Sequence, residues 1–270
     1  MIEAVMSLSN YINELASHGK CSFTIKELET HLGRSSKAIR SSIEHLIAKG
    51  EVAKPARGFY VIVPPEYQVL GCLPAEHFLP YLMAYWQCDY YACLLTAARY
   101  HGATHQAPQV FQVMINARTR PPISCGKVSI RFIANHHLAE TPTQKIPTAK
   151  SMLIVSSPEG TAMDLFKFPG QSGGINHIAT VLTELCEKIQ PEKLKLLLEN
   201  QSEVAWMQRL GFLFELLGER ELAEIVKKQL SLKKRVDYVP LAPELKQSNE
   251  KISRNITWKI IVNTTVESDI

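Results

Sequence analysis

The chain has 270 residues, 46% apolar and 21% charged, and a formal net charge of +4. That length and composition suit an ordinary soluble protein of one to two domains with real buried cores, and no stretch reaches the unbroken apolar length of a membrane span. The mild positive balance is compatible with a polyanionic partner without requiring one.

In chain order, Val5, Leu8, Ile12 and Leu15 recur at spacings of three and four, which predicts an amphipathic helix from about Ile2 to Ser17. No basic region followed by an apolar core precedes it, so a signal peptide is not expected. Cys21–Phe23 reads as a short edge segment. The next helix starts at Thr24, whose hydroxyl caps it while Glu27 completes a capping box. Ile25, Leu28 and Leu32 form its apolar face, and Gly33 supplies a left-handed stop.

Ser35 or Ser36 then caps another helix, with Ile39, Ile43, Leu46 and Ile47 as one buried stripe. Strand Glu51–Lys54, turn Pro55–Gly58 and strand Phe59–Val63 make a hairpin. Helix, turn, helix and hairpin in this order is the winged helix-turn-helix plan, with the last of these helices in the DNA major groove. Arg34, Ser35, Ser36, Lys37, Arg40 and Ser41 crowd the turn and the exposed first turns of that helix. A helix start favours phosphate, whereas Arg40 and Ser41, one turn in, are placed for base edges. Lys54, Arg57 and Tyr60 on the hairpin are expected to hold phosphates.

The expected division is a DNA-binding domain over 1–63 and a larger domain over 66–270, joined at the stiff Pro64-Pro65. Glu66 to Tyr100 reads as mostly buried helix with a break near Gln87–Asp89. Gln109–Asn116, Val128–Ala134 and Met152–Val155 read as strands. Ser157 and Pro158 start a helix that runs through Phe166. Helices are expected near 175–189, 192–200, 204–217 and 220–230, then a strand-like run at Ile256–Asn263. Strands first and helices later make the larger domain α+β, with a helical C-terminal half.

A search for chemistry yields no catalytic set: the chain contains no phosphate-binding or nucleophile-elbow motif and no H-E-x-x-H. The scattered cysteines Cys21, Cys72, Cys88, Cys93, Cys125 and Cys186 are expected as buried reduced thiols of a cytoplasmic protein. Neither His101 with His105 nor His136-His137 with Glu140 has the ligand set of a metal site. Glu159, Asp164 and Lys167 invite comparison with a magnesium-dependent nuclease. Five residues apart on one helix, the two acids face different ways and read as helix surface and first-turn charge. No metal, cofactor or catalytic residue is therefore expected. From His101 to Ala139 there is no acid, while Arg118, Arg120, Lys127 and Arg131 fall inside. They suggest a second basic surface, for DNA or an acidic partner.

Several segments resemble the AbiEi-type antitoxins of type IV toxin–antitoxin (abortive infection) systems. They are Tyr90–Asn116, Ser156–Phe166, Gln208–Gly218, Tyr238–Pro243 and Trp258–Ile270. With the expected winged helix, the resemblance spans nearly the whole chain. It implies a DNA-binding N-terminal domain that represses its own operon at repeated operator sites, and a C-terminal domain that neutralises the toxin. The implied toxin is nucleotidyltransferase-like, and direct contact with it is not required. The alternative is a stand-alone regulator whose second domain senses a ligand.

Overall fold

The computed structural model describes residues 7–33, 35–104, 108–116, 118, 120–245 and 253–266. The chain opens with α1 (Leu8–Ser17), β1 (Ser22–Thr24), α2 (Ile25–Leu32), α3 (Ser36–Ala48), β2 (Val52–Ala56) and β3 (Phe59–Ile62). After a 3-10 segment at Pro65–Leu70 come α4 (Ala75–Trp86), β4 (Tyr90–Ala92), α5 (Leu94–Tyr100), β5 (Phe111–Ile115), β6 (Ile123–Cys125) and β7 (Val128–Ala134). The chain continues through β8 (Thr143–Pro147), β9 (Met152–Ser156), α6 (Pro158–Lys167), α7 (Gly174–Leu185), α8 (Pro191–Glu199), α9 (Ala205–Leu216) and α10 (Arg220–Ser231). Short strands β10 (Val239–Pro240), β11 (Ser253–Asn255) and β12 (Ile260–Val262) close it. The class is α+β.

Two compact units result. The first comprises Met1–Tyr91, Gln109–His136 and Lys145–Ile154, and the second Ala92–Pro108, His137–Gln144 and Val155–Ile270. The segment expected over 1–63 lies within the first unit.

In the first unit, local signals place the early elements. Ser7 caps α1, its hydroxyl accepting from the Asn10 N–H at 3.2 Å. The portion of the expected helix before residue 7 lies outside the described residues. Thr24 and Glu27 form the reciprocal capping box on α2, and Gly33 ends it with φ 58°. Ser35 caps α3, accepting from the Ala38 N–H at 3.4 Å. Leu8, Ile12, Leu28, Ile39, Ile43, Leu46, Phe23 and Val52 pack into one core beneath these elements. Ile47 departs from the expected stripe: it is 37% exposed. Strands β1, β3 and β2 form an antiparallel sheet in that order.

The hairpin turn is shorter than expected. Pro55 and Ala56 stay in β2, leaving Arg57-Gly58 as the turn. The β2–β3 register shifts between Ala53 and Ala56, and a bulge is where a strand tolerates a residue that cannot donate.

The larger sheet has the order β6-β7-β5-β4-β9-β8. β5 and β7 are parallel, whereas β6 and β7 form an antiparallel hairpin. Tyr90–Ala92, expected within a helix, is strand β4. An all-apolar run has no face to distinguish, so its period cannot separate buried strand from buried helix.

In the second unit α6 is the central helix, packed by α5, α7, α8 and α9. Ser157 caps it, accepting from the Gly160 N–H at 3.2 Å, and Pro158 occupies the first turn. Every residue from Glu159 to Phe166 is buried. This corrects the surface assignment of Glu159 and Asp164, which are 1% and 0% exposed. The acids do point different ways, but helices cover both sides. The Glu159 carboxylate accepts from the Ser157 hydroxyl at 2.7 Å and from the Gln190 N–H at 2.9 Å. It thereby ties the start of α6 to the residue that caps α8.

Candidate nucleic-acid interface

The exposed side of α3 follows from the burial of its other side. With Ile39, Ile43 and Leu46 buried, Lys37, Arg40, Ser41 and Glu44 are exposed. Arg34 lies outside the described residues. Ser35 is engaged as the helix cap, and the Ser36 hydroxyl donates to the Glu29 carboxylate of α2. Both serines therefore brace the turn, leaving Lys37, Arg40 and Ser41 as the outward groups.

The hairpin brings Lys54 and Arg57 to the same side. Both are exposed and line a groove of about 590 Å³ with Lys26, Arg40, Glu29 and Glu44. Among the described residues, no carboxylate stands within ion-pair distance of Lys37, Arg40, Lys54 or Arg57. With no such partner among the described residues, Arg40, Lys54 and Arg57 around one concavity suit a polyanion.

Tyr60 differs from its expected outward role. It is 4% exposed, with its ring stacked on Phe23 at 5.5 Å, and it forms part of the groove wall. Burial raises its phenol above the ordinary value, and nearby Arg40 acts in the opposite direction.

Two groove residues escaped the sequence reading. Lys26 is an exposed lysine of α2 with no local signal beyond its charge. Tyr85 comes from α4, past the proline pair, and nothing in the local pattern points it at the hairpin.

The second basic stretch divides. Arg118, Lys127 and Arg131 are exposed. Arg120 is partly buried, its guanidinium 4.3 Å from the centre of the Trp86 ring. Such stacking uses the cation for packing as well as for charge.

In the second unit, a depression of about 420 Å³ is lined by Pro142, Gln144, Ser157, Glu159, Lys193 and Leu197, among others. Among the described residues no three histidine, cysteine or acidic side chains converge to hold a metal. His101 is buried, its Nε2 2.8 Å from the Ser156 carbonyl, and His105 lies outside the described residues. Among the described residues no helix is long and apolar enough to cross a membrane. Cys21, Cys72, Cys93, Cys125 and Cys186 are buried thiols, and Cys88 is partly exposed.

Comparison with known proteins adds three findings. Residues 90–216 match the family model of the AbiEi antitoxin C-terminal domain. The crystal structure of the RV2827C protein from Mycobacterium tuberculosis is similar in fold, with a TM-score of 0.67 at 18% identity, covering 94% of this chain and 90% of that one. An antigenic nucleotidyltransferase-like protein from Paracoccidioides brasiliensis aligns at a TM-score of 0.38 and 11% identity, over 57% of this chain and 90% of that one. At that score the likeness carries no structural argument. No curated protein matches the sequence.

Proposed function

From a chain that carries an AbiEi antitoxin C-terminal domain over residues 90–216, we propose an antitoxin that also represses its own operon. In this reading residues 1–63 are a winged helix-turn-helix and residues 66–270 the antitoxin domain of a cytoplasmic type IV system. The partner is a nucleotidyltransferase-like toxin, which the antitoxin opposes with or without direct contact. The protein acts by binding, not by catalysis.

One observation carries the DNA reading: Arg40, Lys54 and Arg57 surround one groove, beside the capped start of α3. A phosphate backbone lying in that groove would bring base edges to Arg40 and Ser41 while Lys37, Lys54 and Arg57 hold the strand. Repeated operator sites would then be occupied by successive copies.

The test is titration of the full-length protein with DNA from upstream of its own gene and with random duplex, over a salt series. Operator preference is expected, and log affinity should fall by about 0.9 per decade of salt for each phosphate contact. Equal affinity for the two duplexes would exclude operator reading. Co-expression with the neighbouring gene tests the antitoxin half, with rescue of growth expected.

The depression bordered by Glu159 and Lys193 favours a second reading, a ligand-sensing regulator. A metabolite-dependent rise in melting temperature, together with no rescue in co-expression, would select it.

A further inference from the structure

We propose that Tyr85 is a positioning residue of the DNA-reading face, holding the β2–β3 turn and its Arg57 from a helix that lies beyond the proline pair. The inference rests on the DNA-binding reading above and extends it past residue 63.

The turn has two tethers outside its own ladder. The Ile25 N–H, at the start of α2, donates to the Gly58 carbonyl at 3.4 Å. From α4, the Tyr85 hydroxyl donates to the Arg57 carbonyl at 3.3 Å. The Tyr85 ring also lies 5.7 Å from that of Phe59, the first residue of β3. Gly58 makes this approach possible: its φ is +79°, and a Cβ there would stand 2.7 Å from the Tyr85 hydroxyl. Turn geometry and tyrosine contact thus call for glycine at the same position.

Tyr85 is 41% exposed, so it is not a core residue whose contacts are incidental to burial. Its exposed part lines the groove with Arg40, Lys54 and Arg57. The tip of a hairpin frays more readily than its ladder unless something packs on it. Holding Arg57 by its own carbonyl restricts where the guanidinium can reach and lowers the ordering cost of gripping phosphate. Tyr85 need not touch DNA to do this.

The experiment uses full-length Tyr85→Phe, Tyr85→Ala, Arg57→Ala and the double variants, with two readouts. One is independent of DNA: the rate of tryptic cleavage after Arg57. Tyr85→Ala is expected to speed that cleavage several-fold while the melting temperature of the protein barely moves. The other is operator affinity. Tyr85→Phe removes one hydrogen bond, so a loss of about threefold to tenfold is expected, with a larger loss for Tyr85→Ala. Both losses should vanish in the Arg57→Ala background, yet add fully to Lys37→Ala, because a residue acting through another is not additive with it.

Unchanged cleavage in Tyr85→Ala, or losses that add fully to Arg57→Ala, would overturn the inference. Accelerated cleavage in a protein that shows no operator preference would instead overturn the DNA-binding reading and leave Tyr85 as the anchor of the turn.

Discussion

The indole of Trp258 lies against the backbone of Gly211 so closely that a methyl group at Gly211 would penetrate the ring. Trp258 is 1% exposed, and its indole N–H donates to the Glu215 carboxylate one turn along α9. The ring has nowhere to retreat. Gly211→Ala should destabilise the protein by about 1–3 kcal/mol or more, through overpacking. A urea melt measures it: an unchanged midpoint would mean that the ring can move aside.

The same helix gathers other distant segments of the chain. Trp258 and the intervening Tyr238–Pro243 segment both reach α9. Gln208 donates to the carbonyls of Asp237, Trp258 and Lys259, and Arg209 donates to the carbonyl of Pro240. Segments far apart in sequence converge on α9 to clasp the sheet of β10, β12 and β11.

The pH dependence of stability should carry the signature of buried histidine. His101 is 8% exposed; burial lowers its pKa below the ordinary 6.5, with the Ser156 carbonyl and then Glu159 acting the other way. His77 is likewise lowered, chiefly by burial. A group with a depressed folded-state pKa takes its proton in the unfolded chain first. Its stabilisation is therefore complete above the unfolded value, near 6.5, and falls with pH until the folded pKa is reached. Melting temperatures between pH 8 and 5 should decline below about pH 6.5, and His101→Gln should flatten part of that decline. A parallel profile in the variant would remove His101 from the account.

What could be read in advance was local. Thr24 with Glu27, the Ser35-Ser36 pair of which Ser35 is the cap, Ser157 with Pro158, and the β-branched runs of β5 and β7 each announce themselves within a few residues, because caps and strand composition are short-range physics. The missed features depend on distant chain. Tyr90–Ala92 is apolar on every side, so only its pairing with β9 reveals a strand. β8, mostly exposed, has no apolar alternation to mark it. Glu159 sits on a helix whose pattern looks amphipathic until the surrounding helices are counted. Tyr85 reaches the groove through a packing that no periodicity encodes. The groove cations Arg40, Lys54 and Arg57 were visible because the hairpin that gathers them was.

The second basic stretch should separate into packing and surface. Arg120→Ala removes a guanidinium stacked on Trp86, whose ring also meets Phe132 edge-on at 5.5 Å. A loss of about 0.5–2 kcal/mol in stability is expected. Arg118→Ala, Lys127→Ala and Arg131→Ala remove exposed charges, and each should change stability by less than about 0.5 kcal/mol. If this surface binds DNA or an acidic partner, those three together should lower operator affinity or antitoxicity at unchanged melting temperature. Normal activity in the triple variant would leave it an ordinary solvated face.

On α3, Arg40 of the groove and Lys37 at the helix start should behave differently although both are exposed cations. Lys37 is the second residue of the helix, where phosphate is favoured and sequence is not read. Arg40 lies one turn further in, with Glu44 one turn beyond it on the same face. That places a bidentate donor, suited to guanine, next to an acceptor suited to cytosine. Arg40→Ala should cost about 1–3 kcal/mol on operator DNA and relax preference at one base pair. Lys37→Ala and Arg57→Ala should weaken operator and random duplex alike and reduce the salt slope by about one contact each. Measuring Kd for all three variants on both duplexes decides it. Equal losses for Arg40→Ala on the two would reassign that residue to the phosphates, and base reading would then fall to Ser41 and Glu44.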